Sequence, residues 1–381
     1  DTATTEIYTL SLHDASDLDP IYESYMGLGP RRMQHWEHWS DPDAETYLTG
    51  IDYYEHPREC RLRLRELYPQ LGLGIPASDN PIPRPRLGLD EGQCSSDPDH
   101  HSVRWGDTET GTYQHGEAFF PSAEEVFAFS PLAKGDFRDW GHVVNAWDFS
   151  SEEGLYNMLR PAYPVEWGDK APEGSAASCG FYNTFFMWPL LTFGWELFLE
   201  CSLDERFEPV LEEFAEINRR VFRTFARLPV NFVVCHDDIV ITRGPVCSPA
   251  WMKKHVFPRY EEFWSILKAA GKEVLFMSDG RMDAYADDVM ACGARGIISE
   301  PYTDYKTIAR KHENCFIAGE GDNRVLKRND PAEIRDMVES MVATGRMSGG
   351  YMMCIGNHIP YNVPPEAVKR YLDLSGELAH R

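Results

Sequence analysis

The sequence predicts an α/β protein closed into a (β/α)8 barrel, with an elaborated and partly irregular N-terminal region. Three observations lead there. After about residue 200, short apolar strands and helical segments alternate five times. Apolar strands joined by crossover helices form a parallel sheet buried on both faces. No glycine-rich dinucleotide fingerprint follows any of these strands, Gly319-Glu-Gly321 being only a partial match, so the open doubly wound alternative lacks its usual signature. Finally, 381 residues suit one elaborated barrel, although length alone allows two domains. The chain is therefore read as a single domain, with residues 1–120 as N-terminal extension and insertions and residues 121–381 as the main barrel.

The elements follow in order. Ile75 to Gly92 carries four prolines and reads as an ordered loop. Ser102 to Phe120 alternates weakly around Asp107-Thr-Glu-Thr-Gly111, which predicts a β-hairpin. Ser202 with Glu205 three positions later has the form of a capping box. It is expected to open a helix, because Phe207, Val210, Leu211, Phe214, Ile217, Val221 and Phe225 recur at helical spacing. Strands are predicted at Phe232 to Val234, Val274 to Met277, Gly296 to Ile298, Cys315 to Ala318 and Tyr351 to Cys354. Between them fall helices over Met252 to Ala270 and Asp283 to Cys292, a further one before Cys315, and one from Pro331 to about Gly345. Pro365 opens the last helix, proline being well suited to a first helical turn.

Composition limits the function. Sixty-one acidic residues against 37 Lys and Arg give a net charge of −24. A nucleic-acid binder needs a basic surface, and an anionic membrane would be repelled likewise, so neither is expected as a partner. The apolar fraction of 43% is enough for a large folded core. Asp1 to Pro20 is polar and acidic, with nothing resembling a signal peptide. The longest apolar stretch, Phe185 to Leu191, is too short to cross a bilayer and contains Pro189. Nine scattered cysteines without a C-x-x-C pair read as reduced thiols. A soluble, cytoplasmic protein is expected.

In a β/α barrel the chemistry sits at the C-terminal ends of the strands. Here those ends read Cys235-His236-Asp237-Asp238, Ser278-Asp279-Gly280-Arg281, Ser299-Glu300, Gly319-Glu320-Gly321-Asp322 and Cys354-Ile355-Gly356-Asn357-His358. A polar residue after a strand often only caps the next helix. Five consecutive strands, four of them delivering carboxylates, point instead to one shared rim. Carboxylates gathered in a cavity shift one another's pKa and suit acid–base work or a metal.

These segments resemble the uroporphyrinogen decarboxylase superfamily. His236-Asp-Asp-Ile-Val with Ser248-Pro249 and Pro258 is similar to its D-D … S-P … P segment, and Leu275-Phe-Met-Ser-Asp-Gly280 stands where the family has H-x-C-G or a variant. Gly319-Glu-Gly-Asp322 resembles its G-N-x-D, and Gly356-Asn-His-Ile-Pro360 with Pro364-Pro365-Glu366 its C-terminal motif. The likeness runs from about Thr192 to Leu374 and implies the TIM-barrel fold. Arg31-Arg-Met-Gln-His-Trp36 does not match the R-Q-A-G-R-Y-type opening with which true decarboxylases gather porphyrinogen carboxylates. That departure favours the branch of corrinoid-dependent methyltransferases.

Thiol-activating members of that branch hold zinc through H-x-C and a later Cys. The matching positions are Met277, Asp279 and Asn357, so zinc is possible here only without thiolates. Glu300 and Asp279 remain as candidate metal ligands, with His236 or His358 beside them. The resemblance then implies an O-demethylase methyltransferase, moving a methyl group from a small methoxylated, aromatic compound to the cob(I)alamin of a separate corrinoid protein. No D-x-H-x-x-G-type cobalamin segment occurs in the chain itself. Ether oxygen leaves poorly, so an acid is required; Asp237, Asp238, Asp279 and His358 are the catalytic candidates. Tyr182, Asn183, His236, Met277, Arg281 and Asn357 are the substrate-binding candidates, with Trp36, Trp39 and Trp147 as further aromatic ones. Family members often form dimers, so a homodimer is expected. The alternatives are a lyase of the same fold that decarboxylates a small acid, using Arg281 or Arg324 to face the carboxylate, and a binding barrel without chemistry.

Overall fold

A computed structural model describes residues 33–72, 74–76, 78–82, 103–105, 111–113, 120–139, 147–162, 178–182, 184–360 and 363–380. Its centre is an eight-stranded sheet, parallel throughout. In chain order the strands are β1 (Gln34–Trp36), β2 (Leu71–Gly72), β3 (Ser178–Phe181), β4 (Phe232–His236), β5 (Glu273–Met277), β6 (Gly296–Ile298), β7 (Phe316–Ala318) and β8 (Gly350–Met353). Their spatial order is β2-β1-β8-β7-β6-β5-β4-β3. Each strand thus lies beside its sequence neighbours except at the β2–β3 step, and β1 pairs with β8 through Gln34↔Met352 and His35↔Met353. That pairing of first strand with last is the closure of a barrel and not of an open sheet. Among the described residues β2 and β3 form the two ends of the curl.

The strands have the twofold alternation of a wall packed on both sides. Phe232, Val234, Leu275, Phe316, Met352 and Cys354 fill the lumen, topped by the partly buried Trp36, Met277 and Ile298. Val233, Cys235, Val274, Phe276, Ile297 and Ile317 face outward into the larger core formed with the helices. The helix Phe207–Arg227 lays Val210, Phe214, Ile217, Val221 and Phe225 into that outer core, following the spacing read from the sequence.

Element boundaries moved in instructive places. Ser202 and Glu205 do not cap the long helix: the Ser202 hydroxyl donates to the Leu199 carbonyl, and the helix starts at Phe207 behind Arg206, without a side-chain cap. The predicted helix Met252 to Ala270 is two, Pro249–His255 and Phe257–Ala269, because Pro258 cannot donate a backbone hydrogen bond and begins a new first turn. The hairpin is present, Val103–Trp105 pairing antiparallel with Gly111–Tyr113. Before residue 120 the sheet takes both β1 and β2, with helices Pro42–Thr49 and Pro57–Leu67 between them. The stretch read as an extension therefore carries barrel strands. No helix among the described residues is long and apolar enough to cross a membrane.

Candidate active site at the barrel mouth

The ladder continues one residue past three strands: Asp237 N–H donates to the Met277 carbonyl, Ser278 N–H to Ile298, and Ser299 N–H to Ala318. Alternation therefore carries on too. It sends His236, Asp238, Asp279 and Glu300 to the lumen side, and Asp237, Ser278 and Ser299, all buried, to the helix side. Met277, opposite His236 in the register and Ile298 on its other side, forms part of the floor.

Above that floor the polar groups are joined. Asp238 Oδ1 accepts the Asp279 backbone N–H at 2.7 Å and lies 3.1 Å from His236 Nε2. Glu300 Oε2 accepts the Gly280 N–H at 2.7 Å. The Asn357 amide nitrogen donates to Asp279 Oδ2 at 3.2 Å and its side chain also bonds Glu300, so one residue bridges both carboxylates. Asn357 has a φ of +67°, a left-handed conformation that its short polar side chain tolerates. Tyr182, exposed at the rim, sets its ring edge-on to His236 with centroids 4.4 Å apart.

Electrostatics divides these groups. Burial, followed by repulsion from Asp279 and Asp238, pushes the Glu300 pKa up to about 8 in spite of its donors. Burial and these neighbours thus hold Glu300 in its protonated form at neutral pH. For His236, burial disfavours the cation, but Asp238 at Nε2 and the nearby Asp279 outweigh it, and its pKa rises. Neither Asp238 nor Glu300 has a Lys or Arg ion-pair partner among the described residues.

Two catalytic candidates are placed otherwise. Asp237 is fully buried on the helix side. Its carboxylate accepts the N–H groups of Phe185, Phe186 and Met187 at 2.7, 2.6 and 2.6 Å and the Tyr260 hydroxyl at 2.6 Å, so it ties the start of helix Met187–Phe193 to the barrel wall. His358 adjoins the cluster through Nδ1, 2.7 Å from Asn357 Oδ1, but burial and the neighbouring His38 pull its pKa down to about 3. It is a neutral imidazole and not a cationic acid. Asp237, Asp279, Glu300 and His358 therefore do not all meet in one place.

Arg281 is half exposed and donates to the Tyr302 carbonyl; Arg324 clasps Asp322, which caps helix Asn323–Arg328. Glu320 turns outward to the Tyr351 hydroxyl, 2.7 Å away, and Thr344. Trp39 and Trp147 are buried, the latter stacked on Phe181 at 5.8 Å, whereas Trp36 tops the lumen. Asn183 lies outside the described residues. A cavity of about 320 Å³ lined by Lys268, Glu273, Arg295 and His312 lies at the other end of the barrel, where β5 and β7 begin, away from this cluster. For a metal, His236, Asp238 and Asp279 bring ligand atoms within 4.8 Å of one another. The set has one nitrogen donor and oxygens, so it does not fit thiolate-bound zinc. Cys354 gives no help, since its buried Sγ accepts the Gly319 N–H at 3.0 Å and its pKa stands well above the usual thiol value. The sequence reading missed Glu37, which follows β1, is 3% exposed and meets the loop carrying Asn357.

A parallel β/α barrel with carboxylates at its C-terminal mouth defines the class, and comparison shows what the chain is similar to. Residues 201–378, just under half of the chain and the part where the motifs lie, match the family model described as uroporphyrinogen decarboxylase (URO-D). Among solved structures, a methyltransferase from Methanosarcina mazei is similar at a TM-score of 0.55 and 13% identity, covering 94% of this chain and 98% of that one; it shares the fold. A xylose isomerase-like TIM barrel protein from Mycobacterium smegmatis, in complex with magnesium, gives a TM-score of 0.28 at 14% identity, over 68% of this chain and 89% of that one. No curated protein matches.

Proposed function

We propose that the protein is a methyltransferase that takes a methyl group from a small methoxylated compound, with aromatic donors first, and passes it to a corrinoid carried by a separate protein. The observation that carries this reading is the Glu300 carboxyl, protonated at neutral pH and bridged by Asn357 to the Asp279 carboxylate. The fold shared with a protein described as a methyltransferase supports it.

The corrinoid supplies a cobalt(I) nucleophile that accepts the methyl group. The chain's own residues deal with the oxygen left behind. As the methyl C–O bond breaks, its electron pair stays on oxygen, and Glu300 gives that oxygen its proton. Repulsion from the neighbouring Asp279 keeps the proton on Glu300 until the transfer, and the Asn357 amide holds Asp279 in place. Asp238 and His236 hold the Asp279 backbone and the pocket wall beneath Tyr182. Met277, Ile298 and Trp36 give the donor an apolar floor. Decarboxylation would be better served by a cation facing the substrate, and Arg281 and Arg324 are engaged elsewhere.

The test is anaerobic incubation with cob(I)alamin and a panel of methoxylated aromatics, following cobalamin methylation by absorbance. Methylation that persists after EDTA dialysis supports the proton-donating acid. Failure with every donor, together with CO2 release from a candidate acid, replaces the reading with the lyase.

A further inference from the structure

Glu37 stands directly after β1, turned away from the lumen and buried. Its two oxygens meet three separate elements. Oε2 accepts the Ile355 N–H at 3.1 Å; Oε1 accepts the Tyr371 hydroxyl of the last helix at 2.7 Å and lies 2.8 Å from His35 Nε2. The His35 ring packs edge-on against Tyr371, centroids 5.2 Å apart, and its Nδ1 has no hydrogen-bond partner, so the proton belongs on Nε2, facing Glu37. A buried carboxylate so fully occupied fixes its neighbours firmly, because each donor would lose a strong, charge-assisted bond by moving.

One of those neighbours leads to the site. Ile355 begins the turn that continues through Gly356 to Asn357. Gly356 N–H donates to the Gly321 carbonyl at 2.7 Å, and a Cβ there would come within 2.6 Å of Pro301 and 3.2 Å of the Glu300 Cα. The turn is therefore wedged against the backbone that carries Glu300. Asn357 then adopts its left-handed φ, a conformation asparagine takes more readily than most residues.

We infer that Glu37 is a positioning residue, which by holding the Ile355 N–H fixes the Ile355–Asn357 turn and sets the Asn357 amide between Asp279 and Glu300. It touches no reacting atom. The inference rests on the proposed function only for its catalytic consequence.

Asparagine-selective ¹⁵N labelling of the full chain tests it without substrate or cobalamin. The Asn357 side-chain amide pair is identified by its loss in Asn357→Ala. Glu37→Leu, which removes both acceptors, is expected to move that pair; Glu37→Gln, which can still accept from Ile355, is expected to leave it near the wild-type position. An unmoved pair in folded Glu37→Leu overturns the inference, as does a Glu37→Gln shift as large as that of Glu37→Leu. Where Glu37→Leu does not fold, Tyr371→Phe takes its place, deleting one donor to Glu37: a smaller shift supports the inference and none overturns it. Because the resonance needs no turnover, failure of every methyl donor would sink the proposed function and leave this result standing. With an active donor, Glu37→Leu is expected to lower the methylation rate at least tenfold, and an unchanged rate in the folded variant overturns the inference.

Discussion

Asp237 and Asp238 are neighbours in the chain that face opposite sides of the barrel wall. Asp237 is buried among the helices, gathering three backbone N–H groups and the Tyr260 hydroxyl; Asp238 faces the mouth, gathering the Asp279 N–H beside His236. One extended residue separates a carboxylate built into the wall from one at the barrel mouth.

Substitution should therefore separate stability from activity. Asp237→Leu leaves four buried donors without an acceptor, each costing about 1–3 kcal/mol, so a loss of at least about 4 kcal/mol is expected in denaturant unfolding. Asp238→Asn can still accept from Asp279 and should change stability by less than about 1 kcal/mol while slowing methylation. Equal destabilisation by the two would contradict the opposed placement.

On the proposed function, Glu300 is expected to set the pH dependence. Its pKa is raised to about 8, chiefly by burial and then by Asp279, so the proton needed by the leaving oxygen is present below that pH and absent above it. The rate should be level near pH 7 and fall about tenfold for each pH step above 8. Glu300→Gln should slow methylation by about 10²–10⁴ and abolish that alkaline limb. A wild-type profile that rises through pH 8 would assign the acid elsewhere.

Much of this was legible in the chain, and the exceptions have causes. From residue 200 onward every barrel strand was placed to within two residues, because apolar runs between helical periods leave little choice. The inward and outward fates of 236, 237 and 238 also follow from the twofold period, once the strand is extended beyond Val234 to His236. Glu320 is different: parity with Phe316 and Ala318 would send it inward, but Gly319, at a φ of +93°, reverses the direction and delivers it to Tyr351. β1, β2 and β3 were missed because Gln34–Trp36, Leu71–Gly72 and Ser178–Phe181 form no apolar run set between helical periods, and Glu37 was missed with β1. Its partners Ile355 and Tyr371 lie more than three hundred positions away, which no local pattern encodes.

Asp41 offers a test of stability. It caps helix Pro42–Thr49 through the Ala44 N–H at 3.0 Å, while its Oδ2 is buried without a hydrogen-bond partner. Burial pushes its pKa up to about 8 from 3.8. Between those values the unfolded chain ionises and the folded protein does not, so stability falls as pH rises from 4 to 8 and then levels off. A tenfold difference in proton affinity is about 1.4 kcal/mol, and asparagine caps a helix as well as aspartate does. Asp41→Asn should therefore match the wild type at pH 4 and exceed it by about 2 kcal/mol or more at pH 9. Denaturant midpoints at the two pH values measure this, and an equal effect at both would show that Asp41 does not titrate with folding.

Gly319 joins the fold to the site. It occupies a φ of +93°, and a Cβ there would lie 1.8 Å from the Ser299 carbonyl oxygen, on the backbone that leads directly into Glu300. The obstacle is backbone and not the end of a flexible chain, so Gly319→Ala must push β7 away from β6 or rotate the residue, which would turn Glu320 away from Tyr351. Either route displaces Glu300 relative to Asp279. Loss of several kcal/mol in stability is expected, on the order of other strained backbone substitutions. Any folded fraction should have a changed alkaline limb, because the separation between Glu300 and Asp279 helps to hold the proton. Gly244 is the control: its φ is +125°, yet a Cβ there meets nothing within 4 Å. Gly244→Ala therefore carries the cost of positive φ alone and should destabilise less, with the pH profile unchanged. If the two alanine variants lose the same stability and keep the same pH profile, the contact with Ser299 has no part in placing Glu300.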